Sequence, residues 1–483
     1  MNKSMEFQYS YLNLPEIFFT VLNPTPVLKP EILLYNNNLD KKLNLNFLNL
    51  NHEKRSLLLS GNELPKNLKP FAQAYAGHQF GNFTILGDGR AIIIGEILTQ
   101  KKKRYDIQFK GSGLTPYSRN GDGRAAIGPM LREYLVSEAM FNLNIKTSRS
   151  LAVVSSGEYI HREKKVKGAI LTRIAESHIR IGTFQYAAIK SILALKKLTD
   201  YTIKRHYPSL IKNENPPLDL LKELSIVQIR LVVDWMRVGF IHGVMNTDNV
   251  TLSGETIDYG PCAFMNHYHP MTTFSSIDFG KRYSFGNQGN MILWNLVRFA
   301  ESLIPLIHED EKKAIKLAQS VIENVQDIFK TKWIKMMKLK MGFLGNDKND
   351  LKLVNKLLEL MNKFKLDYTN TFRNLSNHNF DLLTEHKNKD IKDWYQAWKK
   401  RVDKNSHNLQ CTFNKMKKTN PLIIPRNLIV EDVLSEAEKN DNLKPLNDYL
   451  KILSKPYQEN QKLDERYTRK PSNNQSYQTF CGT

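Results

Sequence analysis

Two side chains in the stretch HGVMNTDNVTLSGETIDYG, residues 242–260, have the chemistry and spacing to hold a metal ion. Asn249 offers an amide oxygen and Asp258 a carboxylate, and a hairpin turning at Gly254 would bring them together. Mg²⁺ prefers oxygen ligands of this kind and keeps several of its waters. The alternative is an Asx turn at each end of the hairpin, because Asn and Asp are common in turns.

The position of His242 in the same stretch favours the metal interpretation. Protein kinases carry a His and an Asn seven positions apart, followed by a short hairpin and Asp-Phe-Gly. Here His242 and Asn249 stand seven apart, and Asp-Tyr-Gly follows at 258–260. The catalytic Asp of a kinase would fall at position 244, which is Val244. A literal Asp-Phe-Gly at 278–280 lies too far from Asn249 for a short hairpin, and we interpret it as a chance match.

Candidate nucleotide-binding residues precede this stretch in the order that a kinase uses them. The GDGR turn at 87–90 contributes Gly87, Gly89 and Arg90. Lys110 ends an alternating strand, and Glu133 follows on a predicted helix, where it would pair with the lysine. Glu138 shares a face of that helix and is the competing partner, so periodicity leaves the choice open.

A long Gly-rich loop, KGSGLTPYSRNGDGRAAIGP at 110–129, is unusual in a kinase. It carries two arginines and the pair Asp122 and Gly123. Backbone amides freed by glycine, together with guanidinium groups, suit a phosphate chain. Arg173 and Arg180 stand seven apart further on and are candidate phosphate ligands, the alternative being two surface arginines.

The pattern changes from strands to helices near residue 185. Strands are predicted at 83–86 and 91–97, joined as a hairpin by 87–90, and at 105–110, 151–156 and 168–174, with one helix at 129–143. Amphipathic helices follow. This order predicts an α+β, protein-kinase-like two-lobed fold with a β-rich N-lobe and an α-rich C-lobe. The expected division is an irregular N-terminal extension at 1–70, an N-lobe at 71–184, a helical C-lobe at 185–400, and a C-terminal segment with a flexible tail at 401–483.

The bulk properties exclude some classes of protein. The 483 residues contain only three cysteines, which argues against a disulfide framework. No apolar run is long enough for a transmembrane helix, and the first 20 residues match neither a secretory signal nor a transit peptide, so we expect a cytoplasmic protein with no membrane partner. The net charge of +22 suggests nucleic-acid binding, yet the lysines follow helical spacing, which favours solvated helix faces and argues against a nucleic-acid partner.

Several long stretches resemble the selenoprotein O family of bacterial and mitochondrial pseudokinases. They include FAQAYAGHQFGNFTILGDGRA, DIQFKGSGLTPYSRNGDGRAAIGPMLREYLVSEAM, LTRIAESHIRIGTFQ, GFIHGVMNTDNVTLSGETIDYGPCAFM and PRNLIVEDVLSEA. The resemblance covers most of the chain and is most specific between about 71 and 307. It implies a kinase fold that binds ATP in a flipped orientation and transfers AMP, or UMP from UTP, to Ser, Thr or Tyr hydroxyls of target proteins. The implied cofactor is Mg²⁺ or Mn²⁺.

The resemblance also implies a role for each candidate residue. Asp248 would be the catalytic proton acceptor, and Asn249 and Asp258 would hold the metal. Glu133 would support Lys110 through an ion pair. The implied nucleotide ligands are Gly87, Gly89, Arg90, Lys110, Asp122, Gly123, Arg173, Arg180 and Asp258. A missing kinase base at Val244 is then compatible with activity, because a different phosphorus atom reacts.

Two cysteines enter through the same resemblance, because the family carries a selenocysteine or cysteine near its C-terminus. In this chain that residue is Cys481, and Cys262 lies close to the metal-binding Asp258. A regulatory disulfide between the two would clamp the tail onto the site, whereas the alternative is two unpaired thiols.

Overall fold

The computed structural model describes residues 6–377, 388–405, 409–459, 463–469 and 477–479. Its N-terminal half is built on an antiparallel sheet of eight strands with the order β1-β3-β5-β6-β8-β7-β2, and β4 pairs with β3 beside this path. The strands are β1 (Phe19–Val21), β2 (Glu31–Tyr35), β3 (Phe71–Gln79), β4 (Asn82–Gly87), β5 (Ala91–Leu98), β6 (Arg104–Lys110), β7 (Arg149–His161) and β8 (Lys165–Ala175).

Helices dominate the second half of the chain. The first three belong to the sheet region: α1 (Asn37–Leu43), α2 (His52–Ser60) and α3 (Ile127–Asn142). The remainder are α4 (Ile181–Lys190), α5 (Ile192–His206), α6 (Pro216–Arg237), α7 (Gln288–Ile307), α8 (Glu311–Lys340), α9 (Asp350–Lys363), α10 (Tyr368–Ser376), α11 (Lys389–Asp403), α12 (Leu409–Thr419), α13 (Asn427–Lys439) and α14 (Lys444–Leu453). Among the described helices, none has the length and apolar composition needed to cross a bilayer.

The sheet is buried on both faces, as the alternation along β5 shows. Ile93 belongs to the large hydrophobic core shared with α3 and the helical half, whereas Ile92 and Ile94 belong to a smaller core under α1 and α2. Successive side chains of a strand point to opposite faces, so this run of three isoleucines fills two cores. A strand buried on both faces holds its register firmly and positions the residue at its end.

The segment before residue 71 is more ordered than the irregular extension that its composition predicts. β1 pairs with β3 and β2 pairs with β7, so the segment supplies strands to the sheet. Asn36 and Asn51 accept hydrogen bonds from backbone amides at the starts of α1 and α2. The Asn-rich composition typical of loops therefore serves here as helix N-caps, where asparagine is among the preferred residues.

Two predicted hairpins are wrong in their pairing. The strands on either side of the GDGR turn do not pair with each other, because β4 pairs with β3 and β5 pairs with β3 and β6. The cause is the buried Asp88, which forms hydrogen bonds with both the amide and the carbonyl of Gln73. Its amide donates to the Gln73 carbonyl at 2.8 Å, and its Oδ2 accepts from the Gln73 amide at 3.1 Å. The β3–β4 ladder ends there, and the next strand, β5, pairs mainly with β6.

The second predicted hairpin, around Gly254, forms a turn without a strand ladder. Its flanks bond to other segments: the Val250 carbonyl accepts from Ile181, and the Thr256 amide donates to Lys146. The ladder lies further out, where two short strands, β9 (Phe240–Ile241) and β10 (Ala263–Phe264), pair antiparallel and join the ends of the loop 242–262. Closure of the loop by β9 and β10 fixes the positions of the residues that it carries.

Candidate functional site

Lys110, Glu133 and Asp258 meet although they come from three different elements. Lys110 ends β6, Glu133 lies on α3, and Asp258 lies in the loop closed by β9 and β10. The Lys110 Nζ atom is 2.8 Å from Glu133 Oε2 and 2.7 Å from Asp258 Oδ1. The lysine therefore bridges the helix and the loop, as the spacing of Lys110 and Glu133 predicts.

The competing partner, Glu138, is excluded by its own contacts. Its carboxylate accepts from Arg149 Nε at 2.7 Å and from Asn36 Nδ2 at 2.8 Å. Glu133 and Glu138 are five positions apart on α3, so their side chains leave the helix at different angles. Glu133 points to the cluster, and Glu138 ties α3 to β7 and α1.

Arg173 joins the same cluster from β8, the neighbour of β6 in the sheet. In the strand register Arg173 stands opposite Gln108, two residues before Lys110, so both cations lie on one face. Its Nη2 atom is 2.5 Å from Glu133 Oε1 and 2.6 Å from Asp258 Oδ1. Arg173 is only 2% exposed, and its charge is therefore balanced inside the protein by the two carboxylates.

The charges of the cluster decide how its carboxyls titrate. Burial by itself would raise the pKa of Asp258, but Arg173, Lys110 and Arg180 outweigh burial and hold that pKa well below its usual value. The pKa of Glu133 is likewise lowered, because Arg173 and Lys110 outweigh the effect of its burial. Both carboxyls are thus ionised at neutral pH, which is the state that a cation requires.

Asp258 adopts a left-handed backbone conformation, with φ of 60°. Non-glycine residues occupy this region rarely, and Asp is one of the few that tolerates it. Its Oδ1 atom accepts hydrogen bonds from Lys110 and Arg173, whereas its Oδ2 atom has no hydrogen bond in the described part of the chain. One oxygen is thus committed to the cluster and the other is available to a ligand.

Asp248 lies in a 3₁₀ turn, Thr247–Asn249, that packs against β3 and the start of α4. A Cβ atom on Gly77 of β3 would lie 2.2 Å from Asp248 Oδ1, so only glycine permits this approach. The Oδ1 atom is buried without a hydrogen-bond partner in the described residues. Burial raises the pKa of this carboxyl to about 6, with smaller opposing effects from hydrogen bonds and from Arg180. An unpaired buried oxygen of raised basicity suits a proton acceptor.

Asn249 and His242 are held by the backbone of their own loop. Asn249 Nδ2 donates to the Val244 carbonyl at 3.1 Å, which leaves the amide oxygen free to face another direction. His242 Nε2 lies 2.9 Å from the Ile257 carbonyl, next to Asp258. His242 thus fixes the loop around Asp258, and the buried Val244 stands where a kinase carries its base.

Arg180 is held beside the cluster by an aromatic ring and an acid. Its guanidinium lies 4.1 Å from the centre of the Tyr75 ring, and its Nη1 is 3.3 Å from Asp88 Oδ1. Its Nε atom is buried with no partner in the described part of the structure. Because Asp88 also caps the β3–β4 ladder, the sheet geometry and the position of Arg180 depend on one carboxylate.

The GDGR turn and the Gly-rich loop pack on each other. Cβ atoms on Gly87 and Gly89 would lie 2.3 Å and 2.8 Å from atoms of Tyr117. The Thr115 hydroxyl donates to the Asp88 carbonyl at 2.7 Å. The Arg90 carbonyl accepts from the Gly111 amide at 2.7 Å, which links the turn to the strand end at Lys110.

Asp122 is exposed on this loop, whereas the adjacent Gly123 is buried. Both Asp122 oxygens accept from the Arg162 guanidinium, at 2.9 and 3.0 Å. Gly123 has φ of +69°, and its carbonyl accepts from the Gly113 amide. Within the described residues, the hydrogen bonds of Asp122 and Gly123 are with the loop and with Arg162, and none is with Lys110, Glu133 or Asp258.

Asp278 of the literal Asp-Phe-Gly is a structural residue. Its carboxylate accepts from the backbone amides of Arg282 and Tyr283, at 2.8 and 2.9 Å, and from the Thr273 hydroxyl. A carboxylate with three donors from its own loop stabilises that loop. The tripeptide at 278–280 is thus a local cap, in agreement with its interpretation as a chance match.

Cys262 is buried, and burial raises the pKa of its thiol to about 12. Cys481 lies outside the described residues, so its pairing stays a prediction. The nearest described part of the tail reaches the neighbourhood of Cys262, because the Thr479 hydroxyl donates to the Pro261 carbonyl at 2.7 Å.

A divalent metal ion fits the donors that the loop provides. Within the described residues, no group of three His, Cys, Asp or Glu side chains forms a metal site. Asn249 and Asp258 could hold the ion through the Asn249 amide oxygen and Asp258 Oδ2, which have no hydrogen bond in the described part of the chain. Mg²⁺ is commonly bound by one or two carboxylates, with waters and substrate phosphates completing its coordination.

Several residues of the site carry no sequence signal that the motif analysis used. Gly77 permits the approach of Asp248, Asp88 and Tyr75 hold Arg180, and Gln108 contacts both Arg173 and Asp88. Gln108 and Asp106 alternate with Lys110 along β6, and two polar residues on a buried face would have been the detectable signal.

Comparison with known proteins identifies the family of this chain. The family described as "Protein adenylyltransferase SelO" matches residues 2–454. A "Protein nucleotidyltransferase YdiU" of Bacillus mycoides is 51% identical over 475 residues, which cover 98% of this chain and 97% of the relative. A protein of the same name from Nitrosococcus oceani is 48% identical over 478 residues, covering 99% and 97%. The chain therefore belongs to the protein adenylyltransferase SelO family.

Proposed function

We propose that this protein transfers AMP from ATP to a Ser, Thr or Tyr hydroxyl of target proteins, with UMP transfer from UTP as a related activity. One observation carries the proposal beyond family membership. The loop 242–262 combines an ionised Asp258, held by Lys110 and Arg173, with a second carboxyl, Asp248, whose buried oxygen has no partner. A metal-binding acid and a proton acceptor in one loop are what nucleotidyl transfer requires.

In this proposal Asp248 accepts the proton of the acceptor hydroxyl. The hydroxyl oxygen forms a bond to the α-phosphorus of ATP, the bond between that phosphorus and the bridging α–β oxygen breaks, and pyrophosphate leaves with the electron pair. Bound at Asn249 and Asp258, Mg²⁺ or Mn²⁺ would neutralise developing phosphate charge. Positioning and charge neutralisation account for most of the barrier reduction in phosphoryl chemistry.

The remaining residues of the site bind the nucleotide in this proposal. Lys110, Arg173 and Arg180 would bind phosphate, and Glu133 would hold Lys110 in place. Gly87, Gly89, Arg90, Asp122 and Gly123 would contact the nucleotide from the GDGR turn and the Gly-rich loop. The packing of the turn and loop against each other supports a shared role for them.

The proposal includes a kinase-like arrangement in two lobes, with a flipped nucleotide between them. The antiparallel sheet in the N-terminal half and the helices in the C-terminal half support it. We place the N-lobe at 71–184 and the C-lobe at 185–400, with terminal segments at 1–70 and 401–483. ATP and reduced thiols are abundant in the cytoplasm, where we place the reaction, and nucleic acid is not among the proposed partners.

The experiment is transfer of radioactive label from ATP to protein, with the label on either the α- or the γ-phosphate and Mg²⁺ or Mn²⁺ present. Self-labelling from α-labelled ATP alone, lost in Asp258→Ala, is the expected result. Labelling from γ-labelled ATP would identify a conventional kinase and overturn the proposal. Absence of label from either position under reducing conditions would instead indicate a non-catalytic nucleotide-binding scaffold.

A further inference from the structure

A groove of about 1100 Å³ lies between the start of α5, the second half of α7 and the first half of α8, separate from the site described above. Its lining residues include Val297, Glu301 and Ile304 on α7 and Glu311, Ile315 and Ala318 on α8. On both α7 and α8 these residues recur every three or four positions. Each helix therefore turns one continuous stripe toward the groove.

The groove leaves large aliphatic side chains in contact with solvent. Ile192 is 60% exposed and Ile315 is 45% exposed. Ile189 and Leu193, at the junction of α4 and α5 beside the groove, are also exposed. Isolated exposed aliphatic residues are ordinary, but a contiguous concave apolar surface marks an interaction site.

The charged side chains that line the groove are all acidic, apart from His308. They are Glu301, Glu309 and Glu311, in a chain whose net charge is +22. Glu301 pairs with Arg298 at 2.6 Å, whereas Glu309 and Glu311 form no salt bridge within the described residues. The lysines of the first turns of α8 do not line the groove. The charges that line the groove thus have the opposite sign to the whole protein and would attract the basic side chains of a partner seated in it.

The groove is connected to the catalytic loop through α7. The Asn295 side chain donates to the Met245 carbonyl at 2.9 Å, and the groove begins two residues later at Val297. From Asn295 to Ile304, in the middle of the groove, α7 rises roughly 14 Å. Asn295 leaves α7 on the face opposite to Val297 and Ile304, so a segment held in the groove must also pass around the helix, which is about 10–12 Å across, to reach Asp248.

The length of the groove indicates the size of its occupant. From Val297 to its end at Ile307, α7 rises roughly 15 Å, which is nearly three turns of an α-helix. Pro305 interrupts the hydrogen bonding of α7, since it has no amide to donate to the Glu301 carbonyl. An apolar floor with an acidic rim matches a helix whose apolar face is bordered by basic side chains.

We propose that this groove binds a basic amphipathic helix of the protein substrate and so holds that substrate while its hydroxyl reaches Asp248. The inference rests on the proposed function for the identity of the partner, but the binding itself does not require catalysis. It gives target proteins a recognition element that is separate from the modified residue.

The test measures binding of a fluorescein-labelled synthetic peptide of about 14 residues by fluorescence anisotropy. The peptide carries leucines at helical spacing and lysines beside them, and a matched peptide carries glutamate in place of each lysine. The protein variants are Glu309→Lys and Ile315→Lys, both at exposed positions. Their matched controls, outside the groove, are Glu323→Lys on the same helix and Ile211→Lys, which replaces another exposed isoleucine.

We expect the lysine peptide to bind the wild type at least about tenfold more tightly than the glutamate peptide, a difference in binding free energy of about 1.4 kcal/mol. Both groove variants should lose about tenfold in affinity, and both controls should bind as the wild type does. Equal affinity for the groove variants and the wild type would overturn the proposal. A dimer that Ile315→Lys converts to a monomer would also overturn it, because the occupant would then be a second copy.

The same assay with Asp258→Asn separates this inference from the proposed function. Peptide binding to Asp258→Asn at wild-type affinity supports the groove, whether or not the wild type transfers label from ATP. Loss of label transfer with intact peptide binding would refute only the proposed activity. Label transfer without any peptide binding would refute only the groove.

Discussion

Asp248 and Asp258 lie ten residues apart in one loop, yet the groups next to their carboxyl oxygens differ. Asp258 receives Lys110 and Arg173 on one oxygen, and these cations hold its pKa well below the usual value. Asp248 has a buried oxygen without a partner, and burial raises its pKa to about 6. Two carboxyls whose environments move their pKa values apart are suited to different tasks. In the loop, Asp258 thus carries the negative charge, and Asp248 is suited to accept a proton.

The largest effect is expected from Asp258→Asn, which keeps the shape of the side chain and removes its charge. Label transfer from ATP should fall by about 10³-fold or more, because the metal loses its carboxylate and two buried cations lose a counter-charge. Asp278→Asn is the control, since Asp278 also follows an isoleucine and precedes an aromatic residue and a glycine, and its transfer rate should stay within about tenfold of wild type. Comparable losses in both variants would contradict the conclusion that 258–260 serves the reaction and 278–280 is structural.

Asp248→Asn should lower the turnover number by about 10² to 10³-fold and leave the Michaelis constant for ATP nearly unchanged. The reason is that Asp248 is proposed to act on the acceptor hydroxyl, whereas the cations around Asp258 bind the nucleotide. Steady-state kinetics at saturating metal concentration provide the measurement. A large rise in the Michaelis constant with unchanged turnover would assign Asp248 to nucleotide binding instead.

Gly77→Ala should lower transfer by about 10²-fold, because the new Cβ atom would stand 2.2 Å from Asp248 Oδ1 and displace the carboxyl. The free energy of unfolding should fall by about 1–3 kcal/mol at the same time. Gly280→Ala is the matched control, since a Cβ atom there meets no atom within 4 Å. Activity that survives Gly77→Ala would show that the position of Asp248 is not critical.

The smallest effect concerns a third carboxyl of the loop, Glu255, which contacts Ser253 and lies near Glu176 and Lys146. Burial, reinforced by Glu176, raises its pKa to about 8. A raised folded-state pKa stabilises the protein at low pH, and this contribution is lost as the pH rises through about 8. Glu255→Gln should therefore become progressively more stable relative to wild type as the pH rises from about 5 to about 9.

Melting temperatures of both proteins across this pH range provide the measurement, with Glu323→Gln, on an exposed helix face, as the control. A difference between Glu255→Gln and wild type that does not change with pH would show that Glu255 does not titrate in this range.

The sequence was sufficient to predict those elements whose structure is determined by one short segment. The strand ending at Lys110, the helix carrying Glu133, and the order of strands before helices were all predicted and are confirmed. Choosing Glu133 over Glu138 required the contacts of Arg149 and Asn36, which come from other elements. Helical periodicity predicts the face of the helix on which a residue lies, but it does not predict which residue of another element contacts it.

Strand pairing was less predictable than strand position. Each predicted hairpin had suitable turn residues, but buried side chains and distant segments decided the pairing. Asp88 ended the β3–β4 ladder, and the flanks of Gly254 found partners at Ile181 and Lys146. Turn chemistry acts over four residues, whereas these contacts span from about fifteen to more than one hundred positions.

The first two strands occupy opposite edges of the sheet, β1 beside β3 and β2 beside β7. During synthesis β2, which ends at Tyr35, cannot pair until β7, which begins at Arg149, has been synthesised. At about 5–20 residues per second, this interval lasts on the order of 6–20 seconds. For that time the segment is an unpaired apolar strand emerging from the ribosome, exposed to chaperones and to neighbouring chains. A slow translation step within this interval would lengthen the exposure and lower the yield of folded protein.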